Sequence, residues 1–328
     1  MTELVVLSDH EVAQLVTFEE TVRLIEAAFS DYSAGKSHVF PVVREEITPH
    51  QGVFGIKSGY IEAQGALGFK AGGFWLNNKD KGLANHQSVM VLFNPATGQP
   101  SALVAANYVT KIRTAALGAI GCKYLARPDS TTLAVIGTGQ QGRNQLEATL
   151  KMLPSIETVL LYDAYSAAAA NLAADLGDLP QKVTAVANAA EACRAADVII
   201  TAASSHQAIV MQEWIRPGTH INAVGTDTRG KMELDPQVFA LADKIIVDHP
   251  DQCLYLGECQ HAFDRGIINR DSIYATIGEI ISGQKAGRQS PSEITVFDTT
   301  GVAIQDLATA EYALSQALAR GLGRRTSI

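Results

Sequence analysis

Residues 132–147, Thr-Leu-Ala-Val-Ile-Gly-Thr-Gly-Gln-Gln-Gly-Arg-Asn-Gln-Leu-Glu, constrain this chain more than any other stretch. Leu133 to Ile136 is an unbroken apolar run, the pattern of a strand buried in a parallel sheet. It leads straight into Gly137-x-Gly139-x-x-Gly142, and an amphipathic helical pattern follows. In that order Gly137 permits a tight turn, Gly139 lets backbone approach a pyrophosphate, and Gly142 lets helix and strand pack closely. The free N–H groups at the helix start then face an anion. A glycine triplet alone is weak evidence. Here a second strand, Thr158 to Tyr162, ends at Asp163, 21 residues past Gly142, where a carboxylate accepts ribose hydroxyls. A 2′-phosphate would be repelled by Asp163, and Asp163-Ala-Tyr-Ser offers no arginine to receive one, so the expected cofactor is NAD(H). Gly137, Thr138, Gly139, Gln140, Gln141, Gly142 and Asp163 are the expected cofactor-binding residues.

The rest of the chain divides by pattern. Up to about residue 127, Val5–Leu7, 39–47, 53–60, 67–75, 88–93 and 101–105 are extended segments separated by turns such as Pro95-Ala-Thr-Gly98. Consecutive strands without intervening helices predict a mostly antiparallel sheet. Thr17-Phe-Glu-Glu20 has the capping-box spacing and opens a helix through Ser33; a second helix spans 110–126. From 128 to 301 strands alternate with Ala-rich helices, with candidate strands at 133–136, 158–162, 183–186, 198–201, 220–224, 244–247 and 294–297. That alternation predicts a doubly wound parallel sheet. Residues 302–320 form an apolar-faced helix expected to dock back on the first domain, and 321–328 a frayed tail. The expected fold class is therefore α/β: a Rossmann domain, 128–301, plus an α+β domain, 1–127 with 302–328.

With 34 acidic against 26 basic residues, the net charge of −8 argues against a nucleic-acid surface. No apolar run reaches membrane-spanning length, and Met-Thr-Glu-Leu-Val-Val-Leu-Ser-Asp has no basic n-region, so a cytoplasmic protein is expected. Of the four cysteines, Cys253 and Cys259 with His261 match no standard zinc spacing, and reduced thiols and no metal are expected.

Several motifs together resemble the ornithine cyclodeaminase/mu-crystallin family: Gly68-Phe-Lys70, Lys111-Ile-Arg113-Thr-Ala-Ala116, the Val135–Gly142 turn, Gly225-Thr-Asp227 with Lys231-Met-Glu-Leu-Asp-Pro236, and Phe297-Asp-Thr-Thr-Gly-Val-Ala-Ile-Gln-Asp306. The resemblance covers nearly the whole chain. It implies a Rossmann domain plus a sheet domain that pairs across a homodimer, and a 2-imino or amino acid substrate. Phe40-Pro-Val-Val-Arg44-Glu, Asn85-His-Gln-Ser88, Gly225-Thr-Asp-Thr and Gly257-Glu-Cys-Gln-His-Ala262 are similar to the family's iminosuccinate-reducing members. That similarity implies reduction of iminosuccinate to L-aspartate. The alternatives are an ornithine or lysine cyclodeaminase using bound NAD+, and a non-catalytic binding protein like mu-crystallin.

The same resemblance assigns roles. Arg44 and Arg113 would hold the substrate α-carboxylate, for which a guanidinium fork is suited; a surface ion pair with Glu45 or Glu46 is the other reading of Arg44. Lys70 lies on an apolar strand, where burial would lower its pKa and suit it to proton transfer, unless it guards a sheet edge. Asp227, beyond strand 220–224, would be an acid/base at the imino group, or else a helix cap ahead of Lys231. Asn85-His-Gln-Ser88 replaces a usual Leu-Pro-Thr, and Ala105-Ala-Asn107 a more common Asp-Gly; both weaken the ornithine reading. His86 and Gln87 are the candidates for a second carboxylate, His86 also for holding a proton. Ser204 or Ser205 would line the cofactor, and Asp298 and Thr300 would border the nicotinamide.

Overall fold

The computed structural model describes residues 3–327. The chain forms two compact units, one running to Arg113 and resuming at Val302, the other spanning Thr114–Gly301. The division falls within the helix Asn107–Leu125.

In the first unit one sheet takes the order Arg324–Ser327, Glu3–Leu7, Pro100–Ala105, His86–Phe93, Ala66–Trp75, Gly52–Ile61, Ser37–Val39, and Val43–Ile47 also pairs with Gly52–Ile61. All neighbours are antiparallel except Glu3–Leu7 with Pro100–Ala105. The helices Phe18–Ser33 and Ala303–Arg320 pack together, and the latter also lies on Gly52–Ile61 and Ala66–Trp75. Val12, Leu15, Ile25, Phe29, Ile61, Met90, Leu92, Leu307 and Ala310 are buried here. Thr17 caps its helix as expected, its hydroxyl accepting from the Glu20 N–H at 3.2 Å, while the Glu20 carboxylate turns to Arg23.

Two expectations for this unit fail. The segment 39–47 is two strands, interrupted around Pro41, which lacks the N–H a ladder needs. The tail is not frayed: Arg324–Ser327 pairs antiparallel with Glu3–Leu7, and Arg325 bonds Glu3 at 2.7 Å. Its side chains are all exposed, so no apolar alternation marked it; backbone bonds alone seat it on a strand edge otherwise open to pairing.

The second unit is a parallel sheet ordered Lys182–Ala185, Thr158–Tyr162, Thr132–Ile136, Val198–Thr201, His220–Ala223, Thr295–Asp298, Lys244–Val247, Ile273–Thr276. The order reverses direction between Thr132–Ile136 and Val198–Thr201, the place where open α/β sheets form a crevice. Leu133, Val135, Leu146, Val159 and Val198 bury one face; Ile136, Ile199, Ile221 and Val247 bury the other. Among the described residues no helix is long and apolar enough to cross a membrane.

Candidate active site

Each unit carries one half of the predicted chemistry. In the second unit the strand Thr132–Ile136 turns at Gly137, whose φ of +96° a side chain would resist. A Cβ there would also meet the Ala202 carbonyl carbon at 2.7 Å, and one on Gly142 would lie 1.9 Å from Gly137 O. Nothing lies within 4 Å of a Cβ built on Gly139. Gly139 is the N-cap of the helix Gln140–Met152; no side chain caps that end and no acid occupies its first turn. The exposed N–H groups and the helix dipole therefore suit a diphosphate. Asp163 closes the cradle: Oδ2 accepts from the Thr138 N–H at 2.8 Å and hydroxyl at 2.9 Å, and Oδ1 from the Tyr165 N–H at 2.9 Å. Gln140 is tied to Asn144 at 3.0 Å. These residues fit a dinucleotide. Ser204 is exposed beyond Val198–Thr201, while the Ser205 hydroxyl is spent on Gln207 O at 2.6 Å.

Asp227 sits beyond His220–Ala223, half-buried, accepting from Lys231 Nζ at 3.0 Å and the Thr228 hydroxyl at 3.1 Å. Two buried acids that were not among the expected site residues lie beside this loop, and one of them holds it. The Glu258 carboxylate accepts from the Thr226 hydroxyl at 2.9 Å, the Leu234 N–H at 2.8 Å and the Glu233 N–H. Burial pushes Glu258 up to about 7; burial, then the Glu258 charge, pushes Glu233 well above the carboxylate range. Thr300 donates to Asp248 at 3.3 Å, and Asp248 also receives the Gly301 N–H at 2.6 Å. Asp298 accepts from the Cys259 N–H at 2.9 Å, and burial raises it to about 7. Cys122, Cys193, Cys253 and Cys259 are all buried free thiols.

In the first unit the centre is Lys70. Its Nζ donates to Asp306 Oδ1 at 2.8 Å and to the Thr110 hydroxyl at 3.2 Å. Arg113 Nε donates to the same Asp306 oxygen at 3.1 Å, and its Nη1 to Gln305 Oε1 at 2.7 Å. All four charged or amide side chains, Lys70, Arg113, Gln305 and Asp306, are buried. Burial lowers Lys70 to about 7; Asp306 opposes this, while Arg113 and Lys57 add to it. Burial works to raise Asp306, but the Arg113 and Lys70 charges outweigh it and hold the carboxyl below its ordinary value. A depressed lysine between a carboxylate and a guanidinium exchanges its proton near neutrality.

Strand register brings further candidates to this face. Lys57 stands opposite Lys70, Arg44 opposite Gly55, Ser88 opposite Gly72 and His86 opposite Phe74. Counting by twos from Lys70 puts Lys57, Arg44, Ser88 and His86 on the same side of the sheet. His86 is half-buried; burial, then the Lys70 and Arg113 charges, lower it to about 4, so it is neutral at physiological pH. Gln87 Nε2 donates to Ala84 O at 3.0 Å and its Oε1 accepts from Asn107 at 3.4 Å. Asp306, Lys57, Gln305 and Thr110 were not among the expected site residues. Asp306 had a signal: an acid on the apolar Ala303–Leu307–Ala310 face has to find a buried cation.

The ornithine cyclodeaminase/mu-crystallin family model matches residues 2–321. The chain is 38% identical over 328 residues to the iminosuccinate reductase of Paracoccus denitrificans, covering 99% of this chain and 100% of the relative. The crystal structure of that organism's iminosuccinate reductase in complex with NAD+ matches with a TM-score of 0.90 over 100% of both chains. An archaeal alanine dehydrogenase dimer with bound NAD is 37% identical, with a TM-score of 0.93 over 100% of both chains. The Δ1-pyrroline-2-carboxylate reductase of Thermococcus litoralis, in complex with NADH and L-proline, is 33% identical, with a TM-score of 0.92 over 99% of this chain and 100% of its own. From the glycine turn to the Lys70 strand, the chain belongs to the ornithine cyclodeaminase/mu-crystallin family.

Proposed function

We propose that this chain is an NADH-dependent imine reductase that converts a 2-imino acid, iminosuccinate in preference, to the L-amino acid. The coarser reading is firm: it is an NAD(H)-dependent oxidoreductase acting on C=N or CH–NH2 groups, as are its full-length relatives. The observation that carries the finer reading is the buried Lys70–Asp306–Arg113 cluster. Arg113, joined by Arg44, takes the substrate α-carboxylate in its fork of N–H donors. Fixing the acid end orients the imine, which is worth up to ~7–11 kcal/mol of barrier in well-aligned systems. Reduction places a hydride on carbon and a proton on nitrogen. The dinucleotide, held by Gly137–Gly142, Asp163 and Ser204 with Thr300 at its border, supplies the hydride when bound. Lys70, at about 7, holds the proton for nitrogen, with Asp227 as the second candidate; a nearby carboxylate also favours the protonated imine.

The cation-rich face around Lys70 supports this reading over a cyclodeaminase, which needs an acidic recess for a distal ammonium. A homodimer formed through the first unit's sheet accompanies it: Phe69 and Phe93, ring centroids 6.0 Å apart, lie on the face opposite Lys70 and are only half-buried. The test supplies oxaloacetate, ammonia and NADH and follows nicotinamide absorbance. Oxidation faster than with pyruvate or a cyclic ketimine is expected. Equal or slower oxidation refutes iminosuccinate as the preferred substrate, and no oxidation with any imine refutes the reductase.

A further inference from the structure

Resting on the imine-reductase reading, in which Asp227 serves the imino group, we propose that the segment 257–262 is a positioning device for Asp227: Glu258 and Gln260 fix the residues on either side of it and so set the rate of imine reduction, not the affinity for NADH. The need for such a device is written in the loop. Gly225-Thr-Asp-Thr-Arg-Gly-Lys231 contains no apolar side chain, so hydrophobic packing cannot hold it, and a polar connection on its own is mobile. Hydrogen bonds hold it instead. On one side of Asp227 the Thr226 hydroxyl donates to Glu258 Oε2 at 2.9 Å. On the other side Gln260 Nε2 donates to Thr228 O at 3.3 Å, and Gln260 Oε1 accepts from the Gly230 N–H at 2.7 Å. His261 Nε2 donates to Lys231 O at 3.0 Å, and the Glu233 and Leu234 N–H groups beyond it return to Glu258.

The segment is itself anchored to the strand beside the loop. Ala223, the last residue of its strand, pairs with Asp298 at the end of Thr295–Asp298. Asp298 Oδ2 accepts from the Cys259 N–H at 2.9 Å. A Cβ on Gly257 would lie 2.5 Å from that same oxygen and 2.8 Å from Cys253 Cα, so a glycine lets the chain come this close. Gln260 is buried, and its Nε2 also donates to Gly257 O at 2.8 Å and Leu256 O at 3.1 Å, which fixes the amide plane. One strand pair therefore carries both the loop and the group that grips it. The Asp227 carboxylate takes the Lys231 ammonium at 3.0 Å and the Thr228 hydroxyl at 3.1 Å, both from the loop itself. A displaced loop carries those partners along, so the grip of Glu258 and Gln260 controls the place of the carboxylate rather than its charge.

The test measures kcat for wild type, Gln260→Met, Asp227→Asn and the double variant. NADH is used with whichever imine the wild type reduces fastest: that of oxaloacetate or of pyruvate with ammonia, or a cyclic ketimine. Nicotinamide fluorescence gives the Kd for NADH, and a thermal melt confirms that each variant is folded. Gln260→Met is similar in size and removes both bonds to the loop. A misplaced reacting group costs roughly 10- to 100-fold, so kcat falls by that factor while the Kd for NADH is unchanged. The double variant is no slower than the slower single one, because both changes act through one group. A residue that only stabilised the fold would multiply its loss onto that of Asp227→Asn. Losses that multiply, an unchanged kcat in Gln260→Met, or NADH binding that weakens in step with kcat overturns the device. Should Gln260→Met not fold, Thr226→Val, which removes the hydroxyl held by Glu258, takes its place in the same cycle. Asp227→Asn at the wild-type rate overturns the part given to Asp227 and the device with it, while leaving an imine reductase in place. A wild type that reduces no imine fails the parent reading first.

Discussion

Replacing Asp306 with asparagine removes the one buried acid of the Lys70 cluster while keeping its shape. In the native protein Lys70 is held near 7, so about half of it carries a proton at neutral pH. Asp306, 2.8 Å away, is the strongest influence keeping that proton on. A unit charge at contact distance is worth ~4 kcal/mol at an effective dielectric of 20, and each pH unit is worth ~1.4 kcal/mol. Loss of the carboxylate therefore moves the Lys70 titration to lower pH, by up to about three pH units. The asparagine dipole and added water reduce this, but one unit already leaves about a tenth of Lys70 charged at neutrality. If protonated Lys70 is the acid of the reaction, kcat/KM at pH 7 falls about fivefold or more. The alkaline limb of its pH profile moves acid-ward, and lowering the pH restores activity. Arg113 keeps Gln305, so folding survives, with a loss of about 3–5 kcal/mol from the uncompensated guanidinium as an upper bound. The assay is kcat/KM against pH for both proteins at a temperature below the melt of the variant. A limb that stays where it was, moves to higher pH, or an activity loss that acid does not reverse refutes the assignment of the proton to Lys70.

Arg113→Lys keeps the charge but cannot hold Asp306 and Gln305 at once, so KM for the imino acid should rise about 10- to 100-fold, measured by initial rates. An unchanged KM removes Arg113 from the substrate site. Asp163→Ala should cut the NADH-over-NADPH preference at least about tenfold, because the carboxylate that repels a 2′-phosphate is gone. Comparing kcat/KM for the two cofactors checks it. Gly142→Ala places a Cβ 1.9 Å from Gly137 O, and NADH binding measured by nicotinamide fluorescence should weaken at least tenfold while the first unit's sheet is untouched.

What the sequence made legible follows from how local each feature is. The glycine turn is read within eleven residues of one strand and one helix, because each glycine answers to a contact with its own immediate surroundings, as Gly142 does to Gly137. Most strands of both sheets were legible, by alternation or as apolar runs, and so was Thr17 as a cap, but Ile273–Thr276 at the edge of the second sheet was not. The two-residue-period rule failed where side chains carry no information: Arg324–Ser327 is held by its backbone on Glu3–Leu7 with every side chain exposed. The short helices Pro250–Leu256, Cys259–Asp264 and Ile277–Ile281 are too brief for a helical period to emerge, and with them went Glu258, which pins the loop bearing Asp227 from 25 residues beyond Glu233.

The Lys70 cluster shows how far the same reasoning extends. Lys70 was conspicuous as a cation on an apolar strand, but its partner lies 236 residues away, and no periodicity links the two. What does link them is a constraint that applies to each separately. A buried ammonium and a buried carboxylate both cost several kcal/mol unless paired, so an apolar strand with one lysine and an apolar helix face with one aspartate are each incomplete, and each completes the other. Lys57 is reached by register instead. Its place opposite Lys70 could be counted from the hairpin, by stepping four residues back from Ile61 and four forward from Ala66.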